Sequence, residues 1–166
     1  MAQDLKIPYL KSLQGYLWLR GYETGSLRCP LFPDVAPSMT KWHEAGVKIV
    51  IYSSGSVAAQ KLLFQYTNAT PDADLRGLIE PEGYFDTVNA GMKQEKSSYE
   101  KIARTRGEEV GKWLFLSDNV KEVAAAKAAG MNSFVVAREG NAPLSEEEEL
   151  GNALVESFDE IRIKGI

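Results

Sequence analysis

Four polar side chains in the sequence are of the types that phosphate chemistry requires. Ser53 and Ser54 follow an apolar, β-rich run and precede Gly55. Two hydroxyls, a flexible glycine and the free N–H groups of a following helix together form a plausible cradle for an anion. Lys93 lies on a later loop, and an ammonium that points into the same cleft would neutralise a phosphoryl group. Asp118 follows another β-rich run, where a carboxylate is well placed to hold Mg²⁺.

Each of these signals also has a purely structural interpretation. Ser56 is a residue that any helix would favour as its N-cap. A lysine on a loop, such as Lys93, is usually a solvated charge. Glu122 is placed to complete a capping box with Asn119, whereas Asp118 has a weaker structural interpretation. The spacing alone therefore leaves the phosphate site open.

The elements that must position these residues are indicated by hydrophobic periodicity and by glycines that end helices. Helices are predicted over residues 5–20, 37–45, 57–66 and 119–129, and two more are predicted to begin at Ser97 and Ser145 through capping boxes with Glu100 and Glu148. Strands are predicted over residues 47–52, 84–88, 113–116 and 132–137.

Alternation of helices with buried-looking strands is typical of βαβ units. These units build a parallel sheet with helices on both faces, so the predicted fold class is α/β and Rossmann-like. Ligands bind beyond the carboxyl ends of the strands in such sheets. The hydroxyls, the lysine and the carboxylate each come just after a predicted strand, and we expect them at this edge.

The order hydroxyl, lysine, carboxylate resembles the second, third and fourth motifs of the haloacid dehalogenase-like phosphatases. A closer similarity, to the enolase-phosphatases (acireductone synthases), extends from about Leu13 to Ala142, and its most specific part is the run from Ile51 to Phe64. The other matching segments are Leu13–Tyr16 with Trp18, Gly21–Tyr22 and Gly25; Gly83–Thr87; Gly91 and Lys93; Ser98–Tyr99; Leu114–Asp118; and Arg138 with Gly140–Ala142.

The resemblance implies a reaction and a role for each site residue. Enolase-phosphatases use Mg²⁺ to enolise and dephosphorylate 2,3-diketo-5-methylthiopentyl-1-phosphate in methionine salvage, which yields an acireductone. Ser53 and Ser54 would contact the substrate phosphate. Lys93 would stabilise the phosphoryl charge and orient the nucleophile, and Asp118 would be a Mg²⁺ ligand. These roles suit phosphoryl transfer, which depends on positioning and charge neutralisation.

The family's first motif, Asp-x-Glu-Gly-Thr at the end of a strand, does not occur in these 166 residues. Asp72-Ala73-Asp74 follows a proline rather than an apolar strand, and Asp34 and Asp86 lack the second carboxylate. The resemblance thus implies that residues 1–28 are a remnant of a helical cap and that residues 29–166 are a haloacid dehalogenase-like core without its first, central strand. The chain alone is expected to be inactive. The alternative is a non-catalytic remnant that binds a phosphorylated ligand or a protein partner.

Loss of a central strand would leave unpaired edges on the strands over 47–52 and 113–116, both expected to be buried on two faces. These edges would pair with each other or recruit a strand from a neighbouring chain, so the chain is predicted to be a monomer or a homo-oligomer through exposed strand edges.

Composition narrows the possible partners. The net charge of −4, from 19 Lys and Arg against 23 Asp and Glu, supplies no basic field for a nucleic acid. No apolar run is long enough to cross a bilayer, and residues 1–6 show no basic segment followed by an apolar core, so a signal peptide is not predicted. The single cysteine, Cys29, fits a reducing compartment. The resemblance implies a small phosphorylated substrate as the partner. The predicted location is the cytoplasm, with the nucleus left open as a second location.

Overall fold

The structure is a computed structural model that describes residues 8–163, with side chains from residue 15 onward. The helices and strands alternate along most of the chain. The helices are α1 (Pro8–Glu23), α2 (Val35–Glu44), α3 (Val57–Gln65), α4 (Lys96–Arg106), α5 (Val120–Ala129) and α6 (Glu146–Gly151). The strands are β1 (Ile51–Tyr52), β2 (Tyr84–Phe85), β3 (Leu114–Ser117), β4 (Asn132–Val136) and β5 (Leu154–Val155), and short 3-10 turns lie at Leu75–Leu78, Val110–Lys112 and Phe158–Glu160.

All the strand pairs are parallel, which confirms the predicted α/β class. The strands nevertheless form two sheets rather than one. β1 pairs with β2, and β3, β4 and β5 form a separate sheet in that order. The two strands predicted to flank a missing central strand, β1 and β3, are not hydrogen-bonded to each other, so direct pairing of their edges does not occur.

The edge of β1 that faces away from β2 is open. On the paired side, the carbonyl of Ile49 accepts from the N–H of Glu80, and the N–H of Ile51 donates to the carbonyl of Gly83. Within the described residues, the backbone groups of Lys48 and Val50, which alternate with these, have no backbone partner. This one-sided pairing explains why the strand spans Ile51–Tyr52 instead of the predicted residues 47–52.

The strands beside the open edge are half-buried, not buried on both faces as predicted. Side-chain packing joins the two sheets instead of a hydrogen-bonded ladder. Val47 and Ile49, before β1, and Leu114 and Leu116, on β3, pack against one cluster that contains buried Trp42. Burial of these apolar side chains is therefore what holds the sheets together.

The helix predictions are accurate at several ends and wrong at one. Asn119 caps α5 with its side chain, and Gly107 and Gly130 end α4 and α5 in the left-handed conformation, as predicted. α4, in contrast, begins at Lys96 after Glu95, so Ser97 lies inside the helix and is not its cap. The expected partner of Ser97, Glu100, forms an ion pair with Lys96 instead.

The C-terminal part of the chain contains one predicted helix, α6, and one strand, β5. Ser145 and Glu148 form the predicted capping box of α6, whereas β5 was not predicted. Residues 5–7 of the first predicted helix lie outside the described residues. The division into residues 1–28 and 29–166 stays a prediction. None of the helices that the structure describes is both long and apolar enough to cross a membrane.

Candidate active site

The candidate site lies beyond the carboxyl ends of three strands. Ser53 and Ser54 follow β1, Lys93 lies on the loop between β2 and α4, and Asp118 follows β3 directly. The strands thus place each predicted residue at a carboxyl end. The direct contacts join Lys93 to Glu122, which follows Asp118 at the start of α5, and they join the loop that follows Ser54 to the end of β2.

The serine-rich loop leads into the N-terminus of α3. Ser56 accepts a hydrogen bond from the N–H of Ala59, which confirms its structural role as the N-cap. The Oγ of Ser53 accepts the N–H of Gly55 at 3.1 Å, so its own O–H proton remains available to a ligand. Ser54 is exposed at the start of this turn. The loop therefore presents hydroxyl donors next to a helix N-terminus, where the helix dipole favours an anion.

Side-chain hydroxyl groups hold the loop that carries Lys93 by donating hydrogen bonds to its backbone carbonyls. The Tyr52 hydroxyl donates to the carbonyl of Gly91 at 2.7 Å, and the Ser98 hydroxyl donates to that of Met92 at 2.8 Å. The Tyr99 hydroxyl donates to the carbonyl of Lys93 itself at 2.6 Å. Burial raises the pKa of both tyrosines, which keeps these donors protonated at neutral pH.

Gly91 is required by this arrangement. Its φ of +116° lies in a region that L-residues rarely adopt, and a Cβ there would stand 2.5 Å from the Oγ of Ser98. The glycine therefore allows the chain to turn closely against α4 just before Lys93.

The ammonium of Lys93 pairs with Glu122. Its Nζ lies 2.6 Å from Oε2 of Glu122, and the two side chains are only 20% and 13% exposed. The Nζ also lies 5.8 Å from the ring centre of Tyr52 and 6.0 Å from that of Phe115. The Ser117 hydroxyl donates to the same carboxylate oxygen at 2.8 Å. Lys93 is thus a charged, oriented donor in a partly dry setting, where its field is stronger than in water.

Glu122 is the site residue that sequence reasoning missed. The capping-box interpretation expects its carboxylate on the N–H of Asn119, but that N–H donates to Ser117 Oγ instead. Asn119 still caps the helix by accepting from the N–H groups of Lys121 and Glu122. The signal was its position four residues after Asp118, which places its side chain at the same helix start.

Asp118 is exposed, and its Oδ2 accepts a hydrogen bond from the Asn141 side chain at 3.2 Å. Mg²⁺ sites commonly combine one or two carboxylates with substrate phosphates and water. Among the described residues, no group of three or more Asp, Glu, His or Cys side chains is placed to hold a metal ion. Because Glu122 is already engaged by Lys93, Asp118 is the site carboxylate that the described residues leave for a metal ion, and one carboxylate does not make a complete Mg²⁺ site by itself.

Asn141 is itself bonded to the backbone of Arg138, and the side chain of Arg138 is paired with Asp34. The backbone N–H of Arg138 donates to Asn141 Oδ1 at 2.7 Å, and the Arg138 guanidinium donates to Asp34 and lies over the rings of Phe32 and Phe158. Burial alone would raise the pKa of Asp34. The hydrogen bonds from the guanidinium, from the Phe158 N–H and from a serine hydroxyl lower it on balance.

The aspartates considered as nucleophiles have structural roles instead. Asp34 accepts these bonds, and Asp74 forms a close pair with Arg76. Asp86 is buried, and its carboxylate accepts backbone N–H groups.

Comparison with known proteins matches this chain and its fold to one family. A family model described as haloacid dehalogenase-like hydrolase matches residues 9–130. Enolase-phosphatase E1 of Sclerotinia sclerotiorum is 66% identical over 172 residues, covering 97% of this chain and 66% of the relative. Enolase-phosphatase E1 of Neurospora crassa is 61% identical, covering 97% and 68%. The crystal structure of the UTR4 protein of Saccharomyces cerevisiae superimposes with a TM-score of 0.84 at 37% identity, covering 96% and 69%.

The chain is a haloacid dehalogenase-like hydrolase by its fold and by the extent of the family match. A solved hydrolase from Entamoeba histolytica, at 14% identity and a TM-score of 0.70, shares the fold alone. Within that class, the chain belongs to the enolase-phosphatase family. It spans about two thirds of the length of these relatives, and just under two thirds of the Sclerotinia protein.

Proposed function

We propose that Ser53, Ser54 and Lys93 bind the phosphoryl group of a small phosphorylated substrate. The observation that carries this proposal is the partly buried Lys93, paired at 2.6 Å with Glu122 and fixed through its carbonyl by Tyr99. A lysine with only a surface role does not need an oriented backbone and a desolvated partner. Phosphoryl transfer does need such a preorganised cation, because catalysis depends on neutralising charge at a defined point.

The proposed reaction is that of the family: 2,3-diketo-5-methylthiopentyl-1-phosphate is converted to an acireductone and phosphate in methionine salvage. The names of the relatives and their identity over nearly the whole chain support this substrate. We propose Mg²⁺ as the cofactor and Asp118 as one of its ligands. The bound ion would supply further positive charge for the phosphate oxygens. The other ligands would come from the substrate and from a carboxylate that the described residues do not offer.

The 166 residues considered alone are proposed to be inactive, because they contain no Asp-x-Glu-Gly-Thr motif. The open edges beside β1 and β3 support this view, since within the described residues the backbone groups of Lys48 and Val50 have no backbone partners where a strand would fit. The competing proposal is that the chain is a non-catalytic remnant that binds phosphorylated ligands. The same edges favour self-association, which sedimentation over a range of protein concentrations would detect.

A phosphate-release assay with the diketone phosphate tests the catalytic part. We expect no Mg²⁺-dependent turnover from the 166-residue chain. Turnover that disappears in Asp118→Ala would overturn the proposed inactivity and would support a nucleophile elsewhere in the chain. The coding sequence upstream of Met1 gives an independent check, because an Asp-x-Glu-Gly-Thr strand there would place the missing chemistry in a longer protein.

Binding of inorganic phosphate, measured by calorimetry, tests the binding part without requiring turnover. We expect Lys93→Ala to weaken binding at least tenfold. The matched control is Lys96→Ala, because the Lys96 side chain is exposed and its ion pair with Glu100 is on the surface. Equal phosphate affinity in both variants would refute the proposed site.

A further inference from the structure

A buried carboxylate joins the two loops that carry the proposed phosphate ligands. Asp86 comes directly after β2 and is 8% exposed. Its Oδ2 accepts the N–H of Val57, the first residue of α3, at 3.1 Å. Its Oδ1 accepts the N–H groups of Val88 at 2.9 Å and Asn89 at 3.0 Å, on the loop that leads to Lys93. One side chain therefore holds both the end of the serine loop and the start of the lysine loop.

A second buried side chain makes the reciprocal connection. Gln60, on α3, is 3% exposed, and its amide nitrogen donates to the carbonyl of Gly55 and to that of Phe85, both at 2.8 Å. Gly55 belongs to the serine loop, and Phe85 is the last residue of β2. Asp86 and Gln60 thus cross-link the same two segments in opposite directions, and we call this pair the Asp86–Gln60 clasp.

The clasp is connected to Lys93 through a short, tied segment of backbone. The N–H of Ala90 donates to the carbonyl of Asp86. The next residue, Gly91, is held by the hydroxyl of Tyr52, which immediately precedes Ser53. The segment between Asp86 and Lys93 is thus tied to β2 through the side chain of Asn89, to β1 through Tyr52, and to α4 through the hydroxyls of Ser98 and Tyr99.

We infer that the Asp86–Gln60 clasp sets the spacing between the serine hydroxyls and the Lys93 ammonium, and that Asp86 is a positioning residue for phosphate binding. The inference rests on the proposed function. An anion that must contact two separate loops binds tightly only when those loops are already at the right separation, because ordering them on binding costs free energy.

The charge of Asp86 allows a positioning role to be distinguished from a purely electrostatic one. Burial by itself would raise its pKa, but the N–H groups of Asn89, Val57 and Val88 lower it on balance, so the carboxylate is ionised at neutral pH. A negative charge close to an anion site opposes anion binding by Coulomb repulsion. If charge were the only effect, removal of the carboxylate would tighten phosphate binding. Loss of a positioning group would weaken it.

The test is Asp86→Asn, measured by calorimetry with inorganic phosphate at neutral pH. The amide has nearly the same shape but only one acceptor oxygen, so it cannot hold both Val57 and the Val88–Asn89 turn. We expect phosphate affinity to fall at least tenfold. Val155→Ala is the control for lost stability alone, because Val155 is buried on β5, outside both loops. Tighter or unchanged binding in Asp86→Asn, or an equal loss of affinity in Val155→Ala, would overturn the inference.

Failure of the inference can be separated from failure of the proposed function. If Lys93→Ala weakens phosphate binding and Asp86→Asn does not, the phosphate site stands and the clasp has no positioning role. If the parent chain does not bind phosphate, the proposed site and the role of the clasp in it are both refuted. Amide hydrogen exchange in the free protein adds a direct measure: Asp86→Asn should accelerate exchange at Val57 and Val88, and unchanged rates at both would refute the cross-link itself.

Discussion

Replacing Gly91 with alanine should destabilise the loop that carries Lys93. Alanine at the φ of +116° costs about 1–2 kcal/mol of backbone strain. The new Cβ would stand 2.5 Å from Ser98 Oγ, so that hydroxyl must rotate away from the carbonyl of Met92, which costs about 1 kcal/mol more. The sum is about 2–3 kcal/mol, which for a chain of this size corresponds to a fall in Tm of roughly 5–10 °C.

Urea unfolding and thermal melts of four variants test this reasoning. Gly46→Ala is the matched control, because Gly46 also has a positive φ, of +81°, but has open space where the Cβ would be. It should therefore cost only the backbone strain. In a Ser98→Ala background, Gly91→Ala should also cost only that strain, since the clash with the hydroxyl is removed. An equal cost for Gly91→Ala in both backgrounds, no larger than that of Gly46→Ala, would refute the steric part of the argument.

Three further predictions concern single side chains. Tyr52→Phe removes the hydroxyl that holds Gly91 and should lower the free energy of unfolding by about 1 kcal/mol. Tyr84→Phe should be neutral or stabilising, because the buried Tyr84 hydroxyl has no partner among the described residues. A larger loss for Tyr84→Phe than for Tyr52→Phe would contradict this reasoning. Glu122→Gln leaves the ammonium of Lys93 without its carboxylate and should lower the free energy of unfolding in urea by about 1–3 kcal/mol. Glu100→Gln, in an exposed ion pair, should change it by less than about 0.5 kcal/mol. Similar values for the two variants would refute the importance of partial burial. Hydrogen bonds lower the pKa of Asp34 in the folded state below its ordinary value of 3.8, so they stabilise the fold at a pH above 3.8, and this contribution is lost as the pH falls through the lower folded pKa. The difference in unfolding free energy between the parent and Asp34→Asn should thus be full at pH 7 and shrink below about pH 4. A difference independent of pH would show that the charge of Asp34 is irrelevant.

The local sequence is sufficient for the parts of the fold that depend on neighbouring residues. The caps at Ser56 and Asn119 and the terminating glycines Gly107 and Gly130 involve groups within one helical turn, so the correct partners follow from spacing. Ser97 shows the limit of this reasoning. Its spacing to Glu100 fits a capping box, but the helix begins one residue earlier, and Glu100 pairs with Lys96.

The candidate site also combines positions that the sequence predicts with a side-chain contact that it does not predict. The order of hydroxyl, lysine and carboxylate after successive strands predicts where Ser53, Lys93 and Asp118 lie, because parallel strands all end at one edge of a sheet. The direction of the Glu122 side chain could not be predicted in this way. Whether the Glu122 carboxylate binds the helix N-terminus or Lys93 depends on how closely α5 approaches a loop that lies about 30 residues earlier in the chain.

The sequence by itself thus determined the α/β class, the order of the elements other than β5, the family and the residues proposed to bind phosphate, since these depend on periodicity, spacing and motif. Only the tertiary structure decided that β1 and β3 do not pair with each other, that Glu122 contacts Lys93 rather than the N–H of Asn119, and that Asp86 and Gln60 join the two loops of the site. The physical reason is that these features are contacts between segments distant in sequence. Their energies depend on burial and on distance in three dimensions, and neither quantity is encoded in the local pattern of residues.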